Sequence, residues 1–457
     1  MQSYVENRML DLGNICDPNL VRKWSDLDDD GEADEVYPHI AFTALGYDGS
    51  VLCTVGNWGE KVGSLGTSFA NTEPRAIGST IKPVATYGYG IENEQIHWGS
   101  TFNNSPLDSI KDEDGNPWPF NYGRVRGDGS QNKGYYYLQQ SYNTIPAQLV
   151  DLFTPHEVFK FSTETLGLML DEPDEDYSPL ALGSLTYGVT LQNLVNAYLP
   201  YGNKGVYNKA HVISKIEDAN HQILVDNSNI SREAVSAEGA WVMNRLIKNV
   251  VDNGTGTAAR LSNKVVVGKT GTTENWNDLA FVGMTRDFAS GVTIGYQGYG
   301  DDMMLPSSLK SAQVWYNIIG EYANTMYPDT GYDFDPVETV VESPMCATTG
   351  MVAGEYCPRG PVGYWKSTFA PRCDGNHYVA PTPGSEPDTS ADPNGGAADP
   401  GAGGTTDPGT GGTDPGAGGG ADPGTGTGDP VTGGGTYDPV TGGEDPGNGG
   451  GDYGTWE

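Results

Sequence analysis

The chain has 457 residues and a formal charge of −35 at pH 7, with 25 Lys and Arg against 60 Asp and Glu. No stripe gathers the basic residues, so this balance excludes nucleic-acid binding and charge-driven attachment to anionic lipid. No run of eighteen apolar residues occurs, and the polar opening MQSYVENRML carries no signal-peptide pattern.

Residues 1–39 read as a linker rather than as core. Within them DLDDDGEADEVY sets Asp26, Asp28, Asp30 and Asp34 at calcium-loop spacing. Tyr37 stands where a bidentate Glu is needed, so the expected state is a solvated acidic turn, with calcium the weaker candidate. Residues 40–330 carry the globular pattern. IAFTALGYDGSVLCTVGN predicts a hairpin around the turn Tyr47-Asp48-Gly49. TLQNLVNAYLPYGNKG predicts a helix capped by Thr190, and AEGAWVMNRLIKNVVDNG a second that stops at Gly254. KVVVGKTGTT, DLAFVGMT and ASGVTIGYQGYG follow as three strands, then SLKSAQVWYNIIGEYANTMY as a helix. This order describes an α+β fold, an antiparallel sheet with helices packed against it.

Residues 331–380 form an extension holding Cys346, Cys357 and Cys373. The chain's five cysteines are too few for a disulfide framework and do not settle the compartment. From Pro381 the sequence repeats Asp, Pro, Gly, Thr and Ala with almost nothing apolar to bury, so residues 381–457 are predicted to be disordered. Fourteen Asp and Glu and no Lys or Arg follow Arg372.

RAIGSTIKP places Ser79 and Lys82 three apart, on one helical face, with Pro83 tolerable only early in a helix. A buried lysine can act as base for such a serine, whose hydroxyl is otherwise a weak nucleophile. Ser-x-x-Lys alone is a weak signal. QQSYNTIPAQL then offers Ser141 and Asn143 from a loop between helices. VVVGKTGTT ends a strand with Lys269, Thr270, Gly271 and Thr272, where Gly271 lets a substrate approach the backbone and the hydroxyls suit a carboxylate.

The ordered set GSTIKP, SYN and GKTGTT resembles that of the penicillin-binding transpeptidases and serine β-lactamases. The spacing, together with PLALGSLTYGVTLQNLVNAYLPYGNKGVY and the C-terminal CATTGMVAGEYCP and APRCDGNH, is similar to class A penicillin-binding proteins of Gram-positive bacteria. The resemblance implies a transpeptidase domain over residues 40–330, with an antiparallel sheet flanked by helices and an all-helical subdomain. It implies that Ser79 is the nucleophile, Lys82 its base, Ser141 a proton relay, Asn143 a binder of substrate and of Lys82, and Lys269 an electrostatic partner. Thr270, Gly271 and Thr272 would bind substrate, and no cofactor is implied. The expected partners are peptidoglycan stem peptides ending in D-Ala-D-Ala and β-lactam antibiotics, at the extracytoplasmic face of the membrane. Carboxypeptidase, β-lactamase and inactive scaffold are the competing readings.

Three further expectations follow from the resemblance. Ile77 occupies the usual place of a proline, which would leave the approach to Ser79 less rigid. The glycosyltransferase domain and membrane anchor of class A members have no counterpart in the sequence, so the chain reads as a piece lacking them. Outside the membrane a Cys346–Cys357 disulfide is the expected state. A zinc site of Cys346, Cys357, Cys373 and His377 is the alternative, although gaps of ten and fifteen residues are not typical of zinc ligands.

Overall fold

Strands β1 (His39–Leu45) and β2 (Val51–Val55) form the expected hairpin. After some two hundred residues of helices, short strands and loops, β3 (Val267–Thr272), β4 (Asp278–Met284) and β5 (Ala289–Gly295) complete the sheet. The order is β3-β4-β5-β1-β2, antiparallel throughout, with Lys269 opposite Val282 and Val292 opposite Phe42. The first and third segments of the chain thus meet in the middle of the sheet, and β3 lies at its edge.

Every residue of β1, β4 and β5 is buried, because both faces of the sheet are covered. Period-2 alternation sorts the side chains between two cores. Ala41, Leu45, Val282 and Met284 join the larger cluster, which includes Leu191, Leu194 and Val195 of a helix Leu191–Gly202. Ile40, Phe42, Ala44, Phe281 and Val292 join the other, around Trp315, Ile318 and Ile319.

The computed structural model describes residues 1–377 except 26–30, 62, 64–65, 228–229, 297–302 and 328–330. Met1–Pro381 forms one compact unit and Thr382–Glu457 a second, which lies outside the described residues together with the predicted disorder there. Asp26, Asp28 and Asp30 of the calcium reading also lie outside them; Asp34 starts a short strand paired with Lys23–Ser25.

The first 39 residues are more than a linker. A helix Gln2–Met9 buries Val5 and Met9 in the second core. Its Gln2 side chain donates to Thr54 O (2.9 Å) and accepts from Thr54 N (2.8 Å), satisfying backbone groups that edge strand β2 would otherwise leave open.

Of the helices that position the site, α1 (Ile81–Val84) and α2 (Thr86–Glu92) are separated at Ala85 (φ −129°, ψ −99°). α3 (Gly134–Gln139) and α4 (Thr144–Phe153) flank the SYN loop. α5 (Leu191–Gly202) is capped by Thr190, whose hydroxyl accepts from Asn193 N. α6 (Ala237–Asn253) is capped by Ser236 and ends at Gly254, as its sequence indicates. Among the described residues no helix is long and apolar enough to cross a membrane.

Candidate active site

Ser79 sits in a short 3-10 turn, Gly78–Thr80, that runs straight into α1. Lys82 follows one turn later and is fully buried. The helix is much shorter than the motif alone suggests, since Pro83 and the break at Ala85 end it. A helix this short cannot satisfy its own terminal carbonyls. Two buried tyrosines of α5 do so: Tyr198 donates to Thr80 O (2.6 Å) and Tyr201 to Pro83 O (2.7 Å).

Ile77 has φ −106°, outside the range a proline ring allows, so the turn takes its rigidity from elsewhere. Thr80 Oγ1 donates to Ile77 O (2.7 Å), and Arg75 pairs its backbone with Val189. The Arg75 guanidinium forms a buried pair with Asp278 at the start of β4, Nε to Oδ1 at 2.8 Å. The looser approach expected from Ile77 is not found. Gly78 (φ +52°) is needed there, because a Cβ would lie 2.6 Å from Thr272 O.

The three sequence motifs converge on Lys82. Its ammonium donates to Ser141 O (2.9 Å), Tyr142 O (3.0 Å) and Asn143 Oδ1 (2.8 Å), and lies 3.5 Å from Ser141 Oγ. Ser141 has φ +59°, unusual for a residue with a side chain; the chain turns sharply there out of α3. Lys269, also fully buried, reaches across from β3 and donates to Ser141 Oγ (2.8 Å) and Thr270 O (3.0 Å). The Ser141 hydroxyl thus stands between two lysines. Thr270 Oγ1 lies 2.6 Å from Thr255 Oγ1.

Burial lowers both lysines. Lys269 falls from 10.5 to about 7 through desolvation, and Lys82 falls well below its ordinary value through desolvation and then through the charge of Lys269. A lysine poised in this way can accept a proton from a neighbouring hydroxyl at neutral pH. The arrangement is suited to activating Ser79.

Gly271 shows how closely β3 approaches that turn: a Cβ there would lie 2.2 Å from Ile77 O and 3.0 Å from Thr80 Cγ2. Backbone would have to move. Gly271→Ala is expected to displace the turn carrying Ser79 and to slow acylation by roughly 10²-fold while the protein stays folded; labelling kinetics with a fluorescent penicillin and a melting curve on the same sample measure both.

Sequence reasoning missed the layer behind these residues. Asn143 N donates to Asn121 Oδ1 (2.8 Å), and Asn143 Nδ2 donates to Phe120 O (2.8 Å). Asn104 Oδ1 accepts from both Asn121 Nδ2 (2.9 Å) and Thr144 Oγ1 (2.8 Å). These groups hold the amide that holds Lys82. Nothing local in the sequence marks them, because each partner is tens of residues away.

The family profile described as penicillin binding protein transpeptidase domain matches residues 49–302, more than half of the chain. Penicillin-binding protein 1A of Clostridium botulinum is 26% identical over 304 residues, covering 63% of this chain and 35% of that protein. Penicillin-binding protein 4 of Bacillus subtilis is 31% identical over 225 residues, covering 48% and 34% respectively. The chain therefore spans about a third of the length of these curated relatives.

Among solved structures, penicillin-binding protein 1A from Haemophilus influenzae superposes with TM-score 0.60 at 17% identity, covering 75% of this chain and 57% of that one. PonA1 from Mycobacterium tuberculosis in complex with penicillin V gives 0.55 at 17%, covering 74% and 89%. At such identity these two establish the fold. With the profile match over residues 49–302, the chain belongs to the penicillin-binding protein transpeptidase family.

Proposed function

We propose that this chain carries a peptidoglycan D,D-transpeptidase centre that β-lactams acylate. The observation that carries the proposal is the convergence on the Ser141 hydroxyl of two buried lysines with lowered pKa values, next to the turn bearing Ser79. Ser79 Oγ attacks the carbonyl carbon between the two D-alanines of a stem peptide, and Lys82 Nζ takes its proton. The bond to the terminal D-alanine breaks, and that amine leaves with a proton passed through Ser141. Backbone amides of Ser79 and Thr272 face the developing oxyanion, a contribution of about 3 kcal/mol to the barrier. Thr270 and Thr272 bind the terminal carboxylate near Lys269, and Asn143 binds the peptide backbone. An amine from a second stem then displaces Ser79 from the acyl group and forms the cross-link. No cofactor enters any step.

Such substrates place the centre on the outer side of the cell membrane. A β-lactam enters the same acylation step, and PonA1 in complex with penicillin V is a structural neighbour of this chain. D,D-carboxypeptidase is the second reading, because it differs only in that water replaces the acceptor amine. The test is incubation with an N-acylated peptide ending in D-Ala-D-Ala plus a D-amino acid as acceptor, followed by mass spectrometry. Transfer product exceeding hydrolysis supports the transpeptidase, and hydrolysis alone the carboxypeptidase. Absence of both would leave an inactive scaffold.

A further inference from the structure

Three cysteines and a histidine, far in sequence from the lysine cluster, come together in the C-terminal extension. Strands β6 (Val341–Cys346) and β7 (Arg359–Trp365) form an antiparallel hairpin. Val352, in the loop between them, bridges Met345 on one side and Arg372 on the other. These bridges set Cys346 beside Cys373, and the Cys357 turn closes over them. The ligand atoms of Cys346, Cys357, Cys373 and His377 all lie within 4.8 Å of one another. The imidazole lies between two of the sulfurs, its Nε2 3.3 Å from Cys346 Sγ and its Nδ1 3.6 Å from Cys373 Sγ.

We propose that Cys346, Cys357, Cys373 and His377 bind one structural zinc ion, which ties together the segments of the C-terminal extension. A tetrahedral ion with thiolate and imidazole bonds of usual length holds its ligand atoms about 3.5 to 3.8 Å apart, so four atoms already within 4.8 Å of one another need close in by about 1 Å at most. Three soft thiolates and one imidazole select zinc over the hard cations, and four protein ligands leave no open position for catalysis. The sulfurs also have the backbone donors typical of such sites: Thr349 N points at Cys346 Sγ (3.5 Å) and Gly354 N at Cys357 Sγ (3.3 Å).

Two further observations favour the metal over a disulfide. All five cysteines are free, so the Cys346–Cys357 bond expected from the sequence is not formed. A disulfide would also leave the third buried sulfur and the imidazole beside it without a function.

The location gives the ion its consequence. Gly350 (φ +77°), four residues after Cys346, abuts Gly99 so closely that a Cβ on either would lie within 2 Å of the other's carbonyl oxygen. Lys133 Nζ donates to Thr348 O (2.8 Å), and Lys133 immediately precedes α3, the helix that delivers Ser141. The metal loop thus buttresses the segment leading into the SYN motif.

The test is metal analysis of the full chain purified under reducing conditions and supplied with Zn²⁺, followed by exchange with Co²⁺. One zinc per chain is expected, and the cobalt form should show the visible bands of tetrahedral geometry and thiolate charge transfer. Cys373→Ser and His377→Ala should lose the zinc, while Cys16→Ser and Cys53→Ser, outside the cluster, should keep it. Penicillin labelling reports that each variant retains a folded transpeptidase domain. Zinc-free wild type after reduction and Zn²⁺ addition, or a Cys346–Cys357 disulfide in peptide maps of protein isolated without reductant, overturns the proposal.

Discussion

Lys82→Ala is expected to slow acylation by a β-lactam by about 10³-fold, within the range a positioned general base contributes. The side chain is fully buried one turn from Ser79, and its ammonium is held by two carbonyls and the Asn143 amide oxygen. Among the described residues the other buried lysine of the site, Lys269, donates instead to Ser141 Oγ and Thr270 O. Lys82→Arg separates charge from basicity: a guanidinium keeps the positive charge but does not give up its proton, so it should be as inactive as alanine. The second-order rate of labelling by a fluorescent penicillin, measured against pH, decides the matter. For wild type the rate should rise with pH through the Lys82 titration, which burial and then the charge of Lys269 shift well below its ordinary range, because the free amine is the active form. Arginine activity near that of wild type would show that Lys82 acts only through its charge.

Lys269→Met is expected to lower acylation by roughly 10²-fold and, in the same molecule, to raise stability. The loss follows from the hydrogen bond to Ser141 Oγ at 2.8 Å and from the field of Lys269 on Lys82. Without that neighbouring charge Lys82 holds its proton more tightly, so the rising limb of the pH profile should move to higher pH.

The gain in stability follows from linkage. Lys269 has a folded pKa of about 7 against 10.5 for the free side chain. As pH falls from about 10 the unfolded chain takes up a proton that the folded chain refuses until pH nears 7, so stability declines over that interval and levels off below it. The full depression is worth on the order of 5 kcal/mol. Leaving the Ser141 hydroxyl and Thr270 carbonyl without this donor costs about 1 to 3 kcal/mol, so the variant should still gain. Its melting temperature should exceed that of wild type at pH 7, and the margin should shrink toward pH 10. A variant less stable than wild type at both pH values would contradict the burial argument.

The sheet and its main helices were legible because their signals are local. Short runs of apolar and β-branched residues between polar turns mark β1, β4 and β5, a Thr cap marks the start of α5, and Gly254 marks the end of α6. Burial of both sheet faces was less visible: small residues such as Gly283 and Gly291 dilute the apolar pattern where Trp315 on one side and Leu191 and Val195 on the other press against the strands.

Of the site, the motif residues were legible as chemistry, and the three segments carrying Lys82, Ser141 and Lys269 do meet. What the spacing could not give is support from a distance. Tyr198 and Tyr201 read as core on an apolar helix, yet their hydroxyls cap the carbonyls around Lys82. Asn104 and Asn121 read as loop residues, yet they fix the amide of Asn143. The zinc cluster was obscured for a similar reason, because its ligand gaps are set by backbone bridges at Val352 rather than by a short turn.

The most direct measurement is the mass of the intact chain after exposure to penicillin V, with peptide mapping of the adduct. One long-lived adduct per chain, on the peptide containing Ser79 and absent from Ser79→Ala, is the result expected. An adduct on any other residue, or none on a folded protein, would contradict the assignment of Ser79 and its two lysines as an acylation centre.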